Sequence, residues 1–133
     1  MMFEEMKHRT REEHKVGDES YHPWATKMMK QRLLHCYLIT NSKGEVAGGG
    51  CVWLREAPPA PGRRGGRVPY LLSMYTEPKF RRKGVATMIV KEAMLWASKK
   101  GYPKMFLHAS RDGRMVYSQL GFKRTCEMAI DLE

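Results

Sequence analysis

Apolar residues recur along this chain at two spacings, and the switch between them marks out the elements. Between Lys83 and Lys100, Val85, Ala86, Ile89, Val90, Ala93, Trp96 and Ala97 fall on one stripe at 3.6-residue spacing, which predicts an amphipathic helix. Lys99 and Lys100 suit the negative end of its dipole, and Gly101 ends it. Ahead of that helix, Tyr70 to Thr76 is an apolar run of strand length. Further upstream, His35 to Thr40 predicts a strand, Asn41 to Gly44 a hairpin turn, and Glu45 to Arg55 the antiparallel partner. After the helix, Lys104 to Ala109 reads as a short strand and Asp112 to Leu120 as a short helix stopped by Gly121. Phe122 to Leu132 then alternates, with Cys126, Met128, Ile130 and Leu132 on one face, which predicts a last strand. At the start, Phe3 to about Glu13 is polar and helix-permissive; Gly17 to Pro23 is expected to break it, and Pro23 to open a second helix carrying Trp24, Ala25, Met28 and Met29.

The resulting order is α-α-β-β-β-α-β-α-β, an α/β (mixed α+β) architecture with helices packed on one sheet. A length of 133 residues holds one domain, residues 1–133, with a core but no room for two. The segment Ala57 to Pro69 has four prolines and three glycines. That composition excludes regular structure and predicts a mobile loop, either close to a substrate or a merely tolerated connection. Gly48-Gly49-Gly50 lacks the Lys-Ser/Thr ending and the following helix of a phosphate loop, and reads as a bulge or a close strand approach.

Charge changes the picture little. Lys and Arg number 24 against 14 Asp and Glu, a net +10 that attracts polyanions, yet the basic residues are spread over the chain. No helix-turn-helix, zinc signature or basic-aromatic strand pattern accompanies them, so nucleic acid is an unfavoured partner. No apolar run approaches the roughly 20 residues of a membrane helix, and the charged N-terminus has no signal-peptide core, so a cytoplasmic, non-membrane protein is expected. Cys36, Cys51 and Cys126 are widely spaced, each in an apolar run, and predict buried free thiols and no metal site.

The chemistry concentrates in Tyr75 to Ala86, Y-T-E-P-K-F-R-R-K-G-V-A. Pro78 stops the strand, Gly84 lets the backbone turn and approach a ligand, and the helix that follows presents its N-terminal amides and dipole to an anion. A phosphate-bearing ligand follows. With the second motif, L-H-A-S-R-D-G-R-M-V-Y-S-Q-L-G-F from Leu107 to Phe122, the chain resembles the GNAT superfamily of acetyl-CoA-dependent N-acetyltransferases. Arg81-Arg82-Lys83-Gly84-Val85-Ala86 fits that family's pyrophosphate loop: Arg or Gln, two residues, Gly, one residue, then Gly or Ala. The resemblance implies a GNAT-like, mostly antiparallel sheet flanked by helices, acetyl-CoA as cosubstrate, and a small-molecule or peptide amine as acceptor. The family fold opens on a strand. This chain opens in a helix, so its sheet either lacks the first strand or is completed by another chain, as in a homodimer.

Carried over residue by residue, the resemblance has Arg81 to Ala86 cradle the pyrophosphate. Arg81, Arg82 and Lys83 add charge for the 3′-phosphate or the solvent side, and the backbone of Met74, Tyr75 and Thr76 pairs with the pantetheine arm. Ser110 stands where many relatives have Asn and either bonds the cofactor arm or caps a helix. Tyr117 stands where the family places the phenol that protonates departing coenzyme A thiolate; aromatic packing is its alternative role. The positions that relatives use for a general base hold Leu72 and Tyr70, neither of them a base at neutral pH. Glu77 is the nearest carboxylate, with His108, Glu56 and a carbonyl-and-water route as rivals. The resemblance thus implies acetyl transfer by direct attack in a ternary complex, no Cys lying in either motif. A non-catalytic acyl-CoA sensor and a basic nucleic-acid-associated protein are the alternatives. The segments expected to face the acceptor, Trp24 to Leu34 and Arg55 to Tyr70, carry one Glu among several Arg and Lys, which favours an acceptor bearing an acidic group.

Overall fold

The computed structural model describes residues 11–61 and 65–132. In chain order its elements are α1 (Arg11–Lys30), β1 (Leu34–Thr40), β2 (Val46–Ala57), β3 (Gly66–Thr76), a single 3-10 turn (Pro78–Phe80), α2 (Val85–Lys99), β4 (Phe106–Leu107) and α3 (Arg114–Gln119). The four strands form one mixed sheet in the order β1-β2-β3-β4, antiparallel up to β3 and parallel between β3 and β4.

The β1–β2 hairpin closes as its turn residues require. Asn41 Oδ1 accepts from the amides of Lys43 and Glu45, and Gly44 takes the left-handed conformation at φ 80°. Successive strand residues point to opposite faces, which decides what each helix covers. On one face, Val52 of β2 and Leu71 of β3 meet Val90 and Ala93 of α2 in one buried cluster, and Ala47 meets Val85 and Ile89 in a second. The apolar stripe of α2 is therefore the one read from sequence. Full burial of Ile89 and Val90 contributes roughly 1.5–3 kcal/mol each. On the other face α1 lies across the sheet: Trp24 packs edge-on against Trp53 at 5.2 Å, and Tyr21 hydrogen-bonds Ser73.

Several expectations are corrected. α1 runs unbroken through Gly17 and Pro23 where a break between two helices was expected. Proline costs a helix interior about 3 kcal/mol, and the packing of Tyr21 and Trp24 on the sheet supplies the compensation that local propensity lacks. The expected helix start at Phe3 lies outside the described residues, as does whatever precedes α1. Ala57 and Gly66–Pro69 belong to strands, so the irregular connection is shorter than Ala57–Pro69. Pro69 is tolerated because it lies just ahead of the first β3–β4 pair, where β2 is the strand's one ladder neighbour. β4 keeps two residues of the six expected. No strand forms over Phe122–Leu132: Met128, Ile130 and Leu132 are more than 80% exposed, because alternation selects a face but a strand also needs an edge to pair with. All three cysteines are free, but Cys51 alone is buried; Cys36 lies on an edge strand and Cys126 in the exposed C-terminal run.

Candidate active site

The site starts from a defect in strand pairing. The β3–β4 ladder covers Tyr70↔Phe106 and Leu71↔Leu107 and extends no further, so beyond Leu71 the sheet offers an opening between the end of β3 and the chain leaving β4. The β2–β3 ladder slips at the same level. Gly49 faces Tyr75 and Cys51 faces Leu72, so Ser73 and Met74 together oppose Gly50. This is a bulge, and Ser73 takes the left-handed region at φ 55°. The glycine run supplies the room. A Cβ on Gly50 would strike the Met74 sulfur, and one on Gly48 would lie 2.5 Å from the Tyr75 carbonyl oxygen. Of the two sequence readings, bulge or close strand approach, the close approach holds for Gly48 and Gly50, while the bulge lies on the facing strand β3. Of the residues expected to line the cofactor, Met74, Tyr75 and Thr76 run from the bulge to the strand end.

At that end the chain turns sharply. Glu77 N–H donates to Ala47 O at 2.8 Å, Pro78–Phe80 make one 3-10 turn, and Arg81 Nε donates to Thr76 O at 3.1 Å. Arg82 and Gly84 both have positive φ, 63° and 80°. Gly84 stands at the N-cap of α2, and the first bond of that helix is Met88 N–H on Gly84 O, so the amides of Val85, Ala86 and Thr87 precede the helical ladder. Arg81, Arg82, Lys83 and Gly84 are exposed, and Lys79 and Lys83 both lie over the Phe80 ring. A concentration of positive charge, helix dipole and unladdered amides at one strand end fits an anion. Phe80, whose ring anchors the turn in the Ala47–Val85–Ile89 cluster, was not singled out from sequence.

Tyr117, on α3, packs half-buried against the cluster containing Leu71, the residue at which the β3–β4 ladder stops, and meets Phe122 at 5.9 Å. The loop thus follows the Thr76 end of β3, while Tyr117 packs on the cluster that holds Leu71. Ser110 accepts the Gly113 N–H at 3.2 Å, so its hydroxyl closes the turn that leads into α3. Glu77 belongs to the loop end, next to the Arg81–Thr76 contact, and His108 is exposed just past β4.

A second polar group lies on the opposite face, under α1. Tyr21 bonds the buried Ser73 hydroxyl beside the thiols of Cys36 and Cys51, and burial pushes the Tyr21 phenol up to about 12. Nothing in the sequence signals this group beyond one serine inside the apolar run of β3. An apolar cavity of about 350 Å3, lined by Met29, Leu34, Leu38, Tyr21 and the two thiols, opens beside it. Among the described residues no three His, Cys, Asp or Glu side chains converge as a metal site, and no helix is long and apolar enough to cross a membrane.

Comparison with known proteins gives a consistent family. A family model described as acetyltransferase (GNAT) matches residues 2–122. A predicted acetyltransferase from Clostridium acetobutylicum, solved with acetyl-CoA, superposes with a TM-score of 0.78 at 26% identity, over 88% of this chain and 75% of that one. A GCN5-related N-acetyltransferase from Ralstonia eutropha gives 0.85 at 20% identity over 93% and 81%. Glucosamine-6-phosphate N-acetyltransferase from Arabidopsis thaliana gives 0.68 at 17% over 87% and 79%. No curated protein matches the chain.

Proposed function

Because this chain belongs to the acetyltransferase (GNAT) family and is an acyltransferase, we propose that it moves an acetyl group from acetyl-CoA to a primary amine by direct attack in a ternary complex. The observation that carries this reading is the end of the β3–β4 ladder at Leu71, with the Arg81–Ala86 loop following β3 and Tyr117 packed on the cluster that contains Leu71. In this reading the loop amides and basic side chains take the pyrophosphate, the pantetheine arm lies along Met74–Thr76, and the thioester reaches the bulge near Tyr117. The amine nitrogen attacks the thioester carbonyl, the C–S bond breaks, and the thiolate leaves toward the phenol. A reference phenol pKa of about 10 against about 8.5 for a thiol makes complete proton transfer slightly uphill. Tyr117 therefore acts chiefly by a hydrogen bond to the developing sulfur anion.

Direct attack is supported by where the thiols lie. Cys36 and Cys51 are on the α1 side of the sheet, and burial raises the Cys51 thiol well above its ordinary range, which makes it a poor nucleophile. Glu77 stands at the phosphate end of the opening, so deprotonation of the amine is left to solvent rather than to that carboxylate. The basic residues near the sheet's other end, among them Arg55 over the Tyr70 ring at 4.8 Å, favour an acceptor that carries an acidic group beside its amine. The substrate named for the plant relative, an amino sugar phosphate, has that chemistry.

The test is release of free thiol from acetyl-CoA in the presence of a panel of amines, for wild type and Tyr117→Phe. Loss of the phenol is expected to lower kcat on the order of 10²-fold, within the usual range for a general acid, with KM for acetyl-CoA changed less than about twofold. Unchanged kcat removes Tyr117 as the acid. Acetyl-CoA binding without thiol release from any amine would favour a sensor.

A further inference from the structure

Cys36 and Cys51 occupy directly opposite positions on the antiparallel β1–β2 pair, and their sulfurs lie 2.9 Å apart. Opposed residues in such a pair hold their Cα atoms roughly 4.5–5.5 Å apart, inside the roughly 4.4–6.8 Å that a disulfide spans. A bond between them thus needs side-chain rotation and no strand movement. The two thiols differ in access: Cys36 is exposed on the edge strand and Cys51 is 5% exposed beneath α1. The apolar cavity beside them lets a small uncharged molecule reach both sulfurs from one side.

We propose that Cys36 and Cys51 form a two-thiol redox site that takes small-molecule disulfides, with Cys36 as the attacking thiol and Cys51 as the resolving one. In the first step the Cys36 thiolate attacks one sulfur of the incoming disulfide. That S–S bond breaks, a mixed disulfide forms on Cys36, and one small thiolate leaves and takes up a proton. In the second step Cys51 gives its proton to solvent and attacks the Cys36 sulfur; the second small thiol leaves, and the cross-strand bond remains. The protein pair loses two electrons and two hydrogens, and the oxidant gains both as two thiols. The exposed Cys36 sulfur leaves the bond open to attack by an external thiol, so the oxidation is reversible. Burial disfavours the Cys51 thiolate, which makes the second step the slower one. Neither thiol lies in the Arg81–Ala86 loop, and both face α1 on the side of the sheet away from α2.

The experiment incubates the reduced full chain with bis(2-hydroxyethyl) disulfide and follows intact and peptide mass. Expected is a transient adduct on Cys36 that converts to a Cys36–Cys51 disulfide, while Cys126, exposed and distant in sequence, keeps its adduct. Cys51→Ala is expected to trap the adduct on Cys36, and Cys36→Ser to leave Cys51 unmodified in the folded protein. A Cys36 adduct that persists in wild type at equilibrium, or pairing of Cys36 with Cys126 instead, overturns the proposal. The wild-type result decides by itself, whether or not either variant folds.

Discussion

Tyr21 illustrates how a single side chain can tie α1 to the bulge of β3. Its ring packs toward Trp24 while its hydroxyl reaches Ser73, the left-handed residue of the β3 bulge. Burial of that hydroxyl has a consequence for pH. In the unfolded chain a tyrosine ionises near pH 10, whereas in the folded protein Tyr21 holds its proton to about 12. Below pH 10 both states are protonated and the stabilisation is whole. Between 10 and about 12 the unfolded chain sheds the proton that the folded one retains, so stability falls as pH rises. Half-burial screens the size of the effect. Denaturant unfolding of wild type and Tyr21→Phe across pH 8–12 is expected to show a steeper loss for wild type above pH 10; parallel curves would contradict the buried phenol. At this scale the sequence singled out the loop residues and Tyr117 as candidates, because they stand in motifs. It hid Tyr21 and Ser73, which stand 52 positions apart in the chain.

Elements that carry their own periodicity or turn chemistry were legible, and those that depend on a neighbour were not. α2 declared itself through its stripe and Gly101, and the β1–β2 hairpin through Asn41 and Gly44. α1 reads as broken at Pro23 because helix propensity is local, while its continuity rests on Trp24 meeting Trp53. The C-terminal run has a strand's alternation and remains exposed for the complementary reason, that pairing is a property of two segments. The glycine run shows how one strand can set the site's shape. On Gly48 an added Cβ meets the backbone carbonyl of Tyr75 and the Val85 side chain, which cannot withdraw; on Gly50 it meets the flexible end of Met74 and Ile89. Gly48→Ala is therefore expected to destabilise by about 1–3 kcal/mol or more, and Gly50→Ala by less, as Met74 changes rotamer. Equal losses in chemical denaturation would mean that β2 and β3 approach less closely than described.

Over the whole molecule, the sheet, bulge and α2 act together to leave one opening in the parallel ladder and to place positive charge at one end of it. The net charge of +10 had little specificity as a sum, and gains it from the arrangement of Arg82, Lys83 and Gly84 ahead of α2. The proposed donor is better specified than the acceptor, since the loop ahead of α2 is one contiguous motif and the sequence offers no comparable motif for an amine. The most direct measurement is the thermal midpoint as a function of acetyl-CoA, for wild type and for Gly84→Asp. In that variant a carboxylate enters the proposed phosphate cradle at a left-handed position with open space around it. Wild type is predicted to gain about 2.7 kcal/mol when acetyl-CoA reaches 100 times its Kd, a rise of several degrees, and Gly84→Asp to lose most of that rise, measured from its own ligand-free midpoint, which the strain of a side chain at φ 80° lowers. No rise in wild type at millimolar acetyl-CoA, or an equal rise in both proteins, would contradict a cofactor site at the start of α2.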